Sequence, residues 1–357
     1  MVSNVEYITY FILSLFNRDS SLNSAQLIHI FHGRRTPSML FKVEKEKLYS
    51  AFGLFKTLKK NTLDQQLKKL VEMKWIESSE NKGYKLSKKG SEVLKEYFLN
   101  RDYPDKIVSL ENATIRKSFF YQFQLVSQIF SEATYKNKQY SPTIKDPVQQ
   151  VAVKEWLTSL DKPLLNLAKD WSSELEIILE KLTEEEAMML VWKLTGHELV
   201  GNTNRQLAEI LSLDTVELYI LLDQIMEQLI YLIDKSECAL LKSFLHQINE
   251  NHYYGLSKST YVTAVYIKNR IKLVDIALKR NLKLSTIHEH ILEITLVKQT
   301  FNFKPFIPDE IYQQLHQAFK KDPYFNFQKA KQENKNLQFL WYRLVEIERI
   351  RNESINN

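Results

Sequence analysis

Residues 273–294, LVDIALKRNLKLSTIHEHILEI, gather side chains able to bind a metal, grip a phosphate or read a base. A zinc protease site needs two histidines one helical turn apart, so that both reach one ion. His288 and His290 are two residues apart and diverge by about 200° around a helix, which removes that chemistry. The sequence has no Gly-x-x-x-x-Gly-Lys-Ser/Thr loop for nucleotide hydrolysis and no Gly-x-Ser-x-Gly nucleophile elbow. Cys238, in DKSECALLK, has no histidine nearby to activate it. Acids crowd only in 174–186, where helical exposure accounts for them without a pair of nuclease metals. The expectation is a protein that is not an enzyme and uses no metal or cofactor.

Contact with a polyanion remains. Lys279, Arg280 and Lys283 precede Ser285 and Thr286, and either of these two could cap a helix. Thr286 and Glu289 have capping-box spacing. Basic groups beside the free amides of a helix N-terminus can hold a phosphate. Ile287, Ile291 and Ile294 fall on one face, leaving Thr286, His288, Glu289, His290 and Glu293 turned outward. Two shorter helices precede it, over 260–268 and 272–280, with the small Ala277 where a crossing helix must come close. The set reads as a helix-turn-helix whose third helix faces a partner. Lys279, Arg280, Lys283, Ser285 and Thr286 are its DNA candidates, while His288, Glu289 and His290 could meet DNA or a protein.

The N-terminal hundred residues carry a second candidate. YITYFILSLF is a wide apolar stripe, and SAQLIHIFHG is opened by Ser24 and closed by Gly33. Thr62 is placed to cap a helix with Leu63, Leu67, Leu70 and Val71 on one face. Two short strands flank ENKG, with Gly83 supplying a permissive backbone, and another helix starts near Ser87. That order is a winged helix-turn-helix. Gln65, Gln66, Lys68 and Lys69 lie on its outer recognition face, Lys82 and Lys85 on its wing, and Lys59, Lys60, Lys88 and Lys89 within reach of phosphates. Asp64 and Glu72 oppose such a surface, and winged helices also serve as protein-interaction modules.

These elements sit in a chain of 357 residues with seven Gly and eight Pro. So few helix breakers imply a mostly helical protein. One cysteine excludes a disulfide framework. The apolar start lacks a preceding basic region and a cleavage pattern, so it is not read as a signal peptide. No long uncharged window suggests a membrane span, and a cytoplasmic location is expected. The net charge of +6 is unevenly spread. Residues 1–110 carry 19 Lys+Arg against 12 Asp+Glu, and 251–357 carry 17 against 10, whereas 151–250 carry 8 against 18. Lys and Arg release phosphate counterions, so the ends suit nucleic acid and the middle repels it. Four modules follow: a winged helix (1–100), a connecting helix and linker (101–147), an acidic helical domain (148–250) and the helix-turn-helix with a helical hairpin (251–357). Phe119, Phe120, Tyr121, Phe123 and Phe130 suggest that the connecting helix is buried between domains.

The order Ile276-Ala277, then Leu282-Lys283-Leu284-Ser285-Thr286-Ile287-His288-Glu289-His290-Ile291, resembles the helix-turn-helix at the C-terminus of some RecQ-type DNA helicases. The glycine usual before the second helix is replaced here by NRIK. The tail from Ile307 to Arg351 resembles the helical hairpin that follows that motif. Gly33-Arg34-Arg35-Thr36-Pro37-Ser38 and Ala51-Phe52-Gly53 extend the resemblance to stand-alone YpbB-like bacterial proteins, and bring in Arg34 and Arg35 as partner or DNA contacts. The resemblance implies a non-catalytic, nucleoid-associated accessory of a RecQ-type helicase in DNA repair, recombination or fork processing, with other fork or single-strand-binding proteins as further partners. A transcription regulator and a pure interaction adaptor stay open beside it.

Overall fold

The computed structural model describes residues 6–17, 21–79, 83–322 and 324–355. Helices α1 (Tyr7–Ser14), α2 (Ser24–Phe31) and α3 (Pro37–Glu46) come first. Helix α4 (Lys60–Glu72) leads into an antiparallel hairpin of β1 (Ile76–Ser78) and β2 (Tyr84–Leu86), followed by α5 (Lys88–Tyr97). The central helices are α6 (Arg116–Thr134), α7 (Pro147–Ser159), α8 (Leu164–Leu179), α9 (Glu184–Val191), α10 (Asn204–Leu211), α11 (Thr215–Lys235) and α12 (Ala239–Asn251). The last six are α13 (Lys258–Lys268), α14 (Leu273–Lys279), α15 (Leu284–Val297), α16 (Asp309–Lys321), α17 (Phe327–Glu333) and α18 (Phe339–Ile355). The protein is mostly helical, with one small two-stranded sheet among the described residues. No helix among them is long and apolar enough to cross a membrane.

The chain divides into two compact units. One comprises the residues through Ser21, Gln65–Ile107 and Asn112–His252; the other comprises Leu22–Asp64, Val108–Glu111 and the residues from Tyr253 onward. One unit runs up to His252, and the first hundred residues contribute to both.

In the first unit α6 is the axis of the core, packed by α7, α8, α11 and α12. Phe123 and Phe244 lie 5.5 and 5.4 Å from the Trp171 ring, close enough for favourable aromatic contact. The connecting helix is therefore the centre of the acidic bundle and not a spacer between domains, because its aromatic residues find partners on that bundle's helices. Tyr10 of α1 stacks on Tyr97 of α5 with centroids 3.6 Å apart.

The hairpin is held from below by Gly90. A Cβ there would lie 2.0 Å from the carbonyl oxygen of Trp75, and the Gly90 amide donates to the Ser87 hydroxyl. Ser87 caps α5, and its hydroxyl also donates to the carbonyls of Lys74 and Trp75. Substituting Gly90→Ala forces backbone apart, so we expect a loss of at least about 2 kcal/mol in denaturant unfolding; a loss under about 0.5 kcal/mol would refute this account of the hairpin.

Helix starts depart from the sequence expectations in instructive ways. Asn23, not Ser24, caps α2, with Gln26 completing a capping box. α4 begins at Lys60, so Thr62 lies inside the helix, its amide donating to the Lys59 carbonyl at 3.1 Å. Leu63, Leu67 and Leu70 are buried as expected, but Val71 is exposed.

In the second unit α15 is the centre, packed by α3, α13, α14 and α18. The Arg343 guanidinium sits 3.6 Å from the Phe41 ring centroid, and Arg351 joins Glu44 of α3 to the Thr295 carbonyl of α15. The segment after α2 is thus built into the same body as the C-terminal helices.

Candidate nucleic-acid interface

Ile276, Ala277 and Ile287 form the small buried core where α14 crosses α15, flanked by Ile271, Leu273 and Leu282. Two left-handed residues shape the turns: Arg270 (φ 58°) before α14 and Asn281 (φ 50°) before α15. Arg270 belongs to NRIK, the segment that stands in place of the expected glycine, and the turn forms with arginine in the left-handed region.

α15 begins one residue before the expected caps. Lys283 is its N-cap and gives no side-chain hydrogen bond. Thr286 donates its amide to the Lys283 carbonyl at 2.9 Å, so neither it nor Ser285 caps, and no capping box with Glu289 forms. The first turn of α15 thus has no side-chain oxygen on its amides, the arrangement that leaves a helix N-terminus able to receive an anion. Ser285, Lys279 and Lys283 around it are exposed, and Thr286 is partly so.

Two residues expected on the outer face are buried. Nδ1 of His290 bonds to Oγ1 of Thr263 at 2.8 Å, and burial, then Arg280, holds its pKa below the ordinary histidine range. Burial also lowers that of the half-buried His288, so both rings favour the neutral form near pH 7. Glu293 accepts from Arg35 at 2.9 Å, from Ser257 and from Thr260. Arg35 also donates to the Gly255 carbonyl at 2.6 Å. Glu289 is the exposed acid of that helix face. Arg280 is turned inward, donating to the Ser259 carbonyl and hydroxyl and to Thr263. Arg34 stays exposed, its guanidinium 3.0 Å from the His29 ring nitrogen.

Sequence reasoning passed over Lys258, Lys268, Arg270 and Lys272, all exposed around the same motif. Residues 258–289 hold seven Lys+Arg against two Asp+Glu. The run IKNRIK carried that signal, since cations spaced by two around a turn cannot all be buried.

The other candidates are divided between the units. In the first, Gln65, Lys69, Lys85 and Lys88 are exposed, and Lys68 pairs with Glu72 at 3.9 Å. Gln66 accepts from Thr9, and Lys89 is bound to the Met73 carbonyl at 3.0 Å. Lys82 lies outside the described residues. In the second, Lys59 and Thr62 are exposed, and Lys60 pairs with Asp64 at 2.9 Å. Bonds from Ser24 and Lys60 hold the Asp64 carboxyl below its usual range, so its charge is partly offset.

Residues 259–345 match a family described as a helix-turn-helix domain. Over 300 residues the chain is 26% identical to Protein YpbB of Bacillus subtilis (strain 168), covering 84% of each chain. No solved structure matches. The resemblance to YpbB-like proteins extends over most of the chain, and its C-terminal part is a helix-turn-helix domain.

Proposed function

From a chain that resembles Protein YpbB over most of its length and ends in a helix-turn-helix domain, we propose a DNA-binding protein that serves as a non-catalytic accessory of a RecQ-type helicase. It works on the nucleoid in repair or fork processing. The observation that carries DNA contact is the exposed set Arg270 and Lys272 ahead of α14 and Lys279 and Lys283 ahead of the uncapped start of α15. Such cations neutralise phosphates and fix register without reading sequence. The helicase as partner rests on the residue order of α14 and α15, which resembles that of helicase-borne modules.

A second reading, a protein adaptor, is favoured by one feature. Val274 and Leu278 are 58% and 75% exposed and lie four apart on α14, where neighbouring positions share a helix face.

Titrating the full chain with duplex, single-stranded and forked DNA at several salt concentrations separates these readings. The accessory reading expects a steep salt slope and little sequence dependence. One strongly preferred sequence points to a regulator, and no binding near physiological salt leaves the adaptor. Capture from lysate, with and without nuclease, addresses the partner; failure to recover a RecQ-type helicase under both conditions sinks that assignment.

A further inference from the structure

We infer that the central bundle holds a binding site for a small organic carboxylate with an apolar body, centred on the ammonium of Lys193. A cavity of about 230 Å³ opens between one face of α6 and one face of α11. Phe120 and Tyr121 of α6 and Tyr219, Leu222 and Met226 of α11 form its apolar walls. Arg116 and Lys193 supply its buried cations.

The two cations are treated differently. Arg116 is neutralised within the bundle, 2.9 Å from Asp223 and 2.8 Å from Glu227. Lys193 is 8% exposed, and its Nζ donates to a neutral acceptor, the Asn202 carbonyl, at 2.6 Å. Its own carbonyl accepts from the buried Gln124 amide at 2.9 Å, so the residue is anchored at both ends. Among the described residues no carboxylate forms an ion pair with it, and burial alone pulls its pKa down. A buried charge is normally paired; an ammonium with spare donors on the wall of a cavity is completed by an anion from outside.

The cavity limits what that anion can be. Its volume is below the roughly 300–1,000 Å³ of drug-sized pockets, and mostly apolar walls with few polar groups are the rule for small-molecule sites. Asp223 of α11, paired with Arg116 of α6 in the same lining, opposes a second negative charge. A singly charged carboxylate on an aromatic or branched aliphatic body fits these walls, whereas a phosphate dianion does not.

The test titrates the full chain with benzoate, with 3-methylbutanoate and with neutral benzyl alcohol, followed by ligand-observed NMR. The two carboxylates are expected to bind saturably and the alcohol not to bind at the same concentrations. Lys193→Met should weaken benzoate at least about tenfold, a loss of about 1.4 kcal/mol. Tyr219→Ala, at a residue 37% exposed, should weaken it several-fold without touching the lysine, and it decides the matter if the first variant does not fold. Absence of carboxylate binding by the wild type, or benzoate binding as tight in Lys193→Met as in wild type, overturns the site.

Discussion

Replacing Lys272, Lys279 and Lys283 together by alanine is expected to lower DNA affinity by two to three orders of magnitude near 0.1 M salt. Each phosphate contact on duplex DNA releases about 0.9 counterion, so three lost contacts reduce the slope of log K against log salt by about 2.7. The loss should be nearly uniform across sequences, because phosphate contacts carry no base information. All three side chains are exposed and lie on the uncapped approaches to α14 and α15. Surface substitutions of this kind change stability by about 0.5 kcal/mol or less each, so the melting temperature separates lost binding from lost folding. Arg280→Ala is the useful contrast. That side chain braces α13 through Ser259 and Thr263, so its removal should lower stability before it alters the salt slope. Fluorescence anisotropy with the full chain at four or five salt concentrations checks both. An unchanged slope for the triple variant would move the DNA path away from the helix-turn-helix, toward the exposed Lys69, Lys85 and Lys88 of the first unit.

Periodicity made the helices around this surface legible, because it reports which face is buried: Ile287, Ile291 and Ile294 lie where their spacing puts them. It does not report long-range polar partners. Glu293 and His290 are hydrophilic and follow solvent-facing positions by type, yet both are buried because Arg35, Thr260 and Thr263 meet them. Nothing local to α15 announces an arginine 258 residues earlier in the chain. Caps were misread for a related reason. Asn23, Lys283 and the start of α4 each lie one or two residues ahead of the Ser or Thr expected to cap. Side-chain capping preference is worth about 1 kcal/mol, and packing of the helices can override it. The two compact units do not follow composition along the chain. Composition changes sharply near 250, but the assignment of α1 and of α2 with α3 to different units depends on tertiary contacts that leave no trace in local charge.

The ion pair between Arg35 and Glu293 is expected to be the costliest single contact to break in the second unit. Its side chains are 19% and 7% exposed, and the Glu293 carboxylate also receives the Ser257 amide at 2.8 Å and the Thr260 hydroxyl at 2.6 Å. Removing one partner leaves a buried charge without its counterpart, which costs about 3–5 kcal/mol. Arg35→Ala and Glu293→Ala should each lower the melting temperature by on the order of 10 °C. Lysine in place of Arg35 should recover little, because a single ammonium cannot reproduce the two-nitrogen grip of Nε and Nη2 on the Glu293 carboxylate. The double variant Arg35→Met, Glu293→Leu removes both charges together and should lie well above the sum of the single losses. The pH dependence has a definite sign. Burial pushes the Glu293 carboxyl up, but Arg35, Thr260 and the Ser257 amide together hold it below its usual value. A group depressed on folding contributes its stability above the unfolded pKa of about 4.3 and loses it as pH falls through the folded value. The gap between wild type and Glu293→Gln should therefore close below about pH 4. Denaturant unfolding of the five variants at pH 7 and near pH 3 measures all of this. Single losses under about 1 kcal/mol, or a gap that persists unchanged in acid, would show that α15 is fixed by its apolar packing against α3 and α18 and not by this pair.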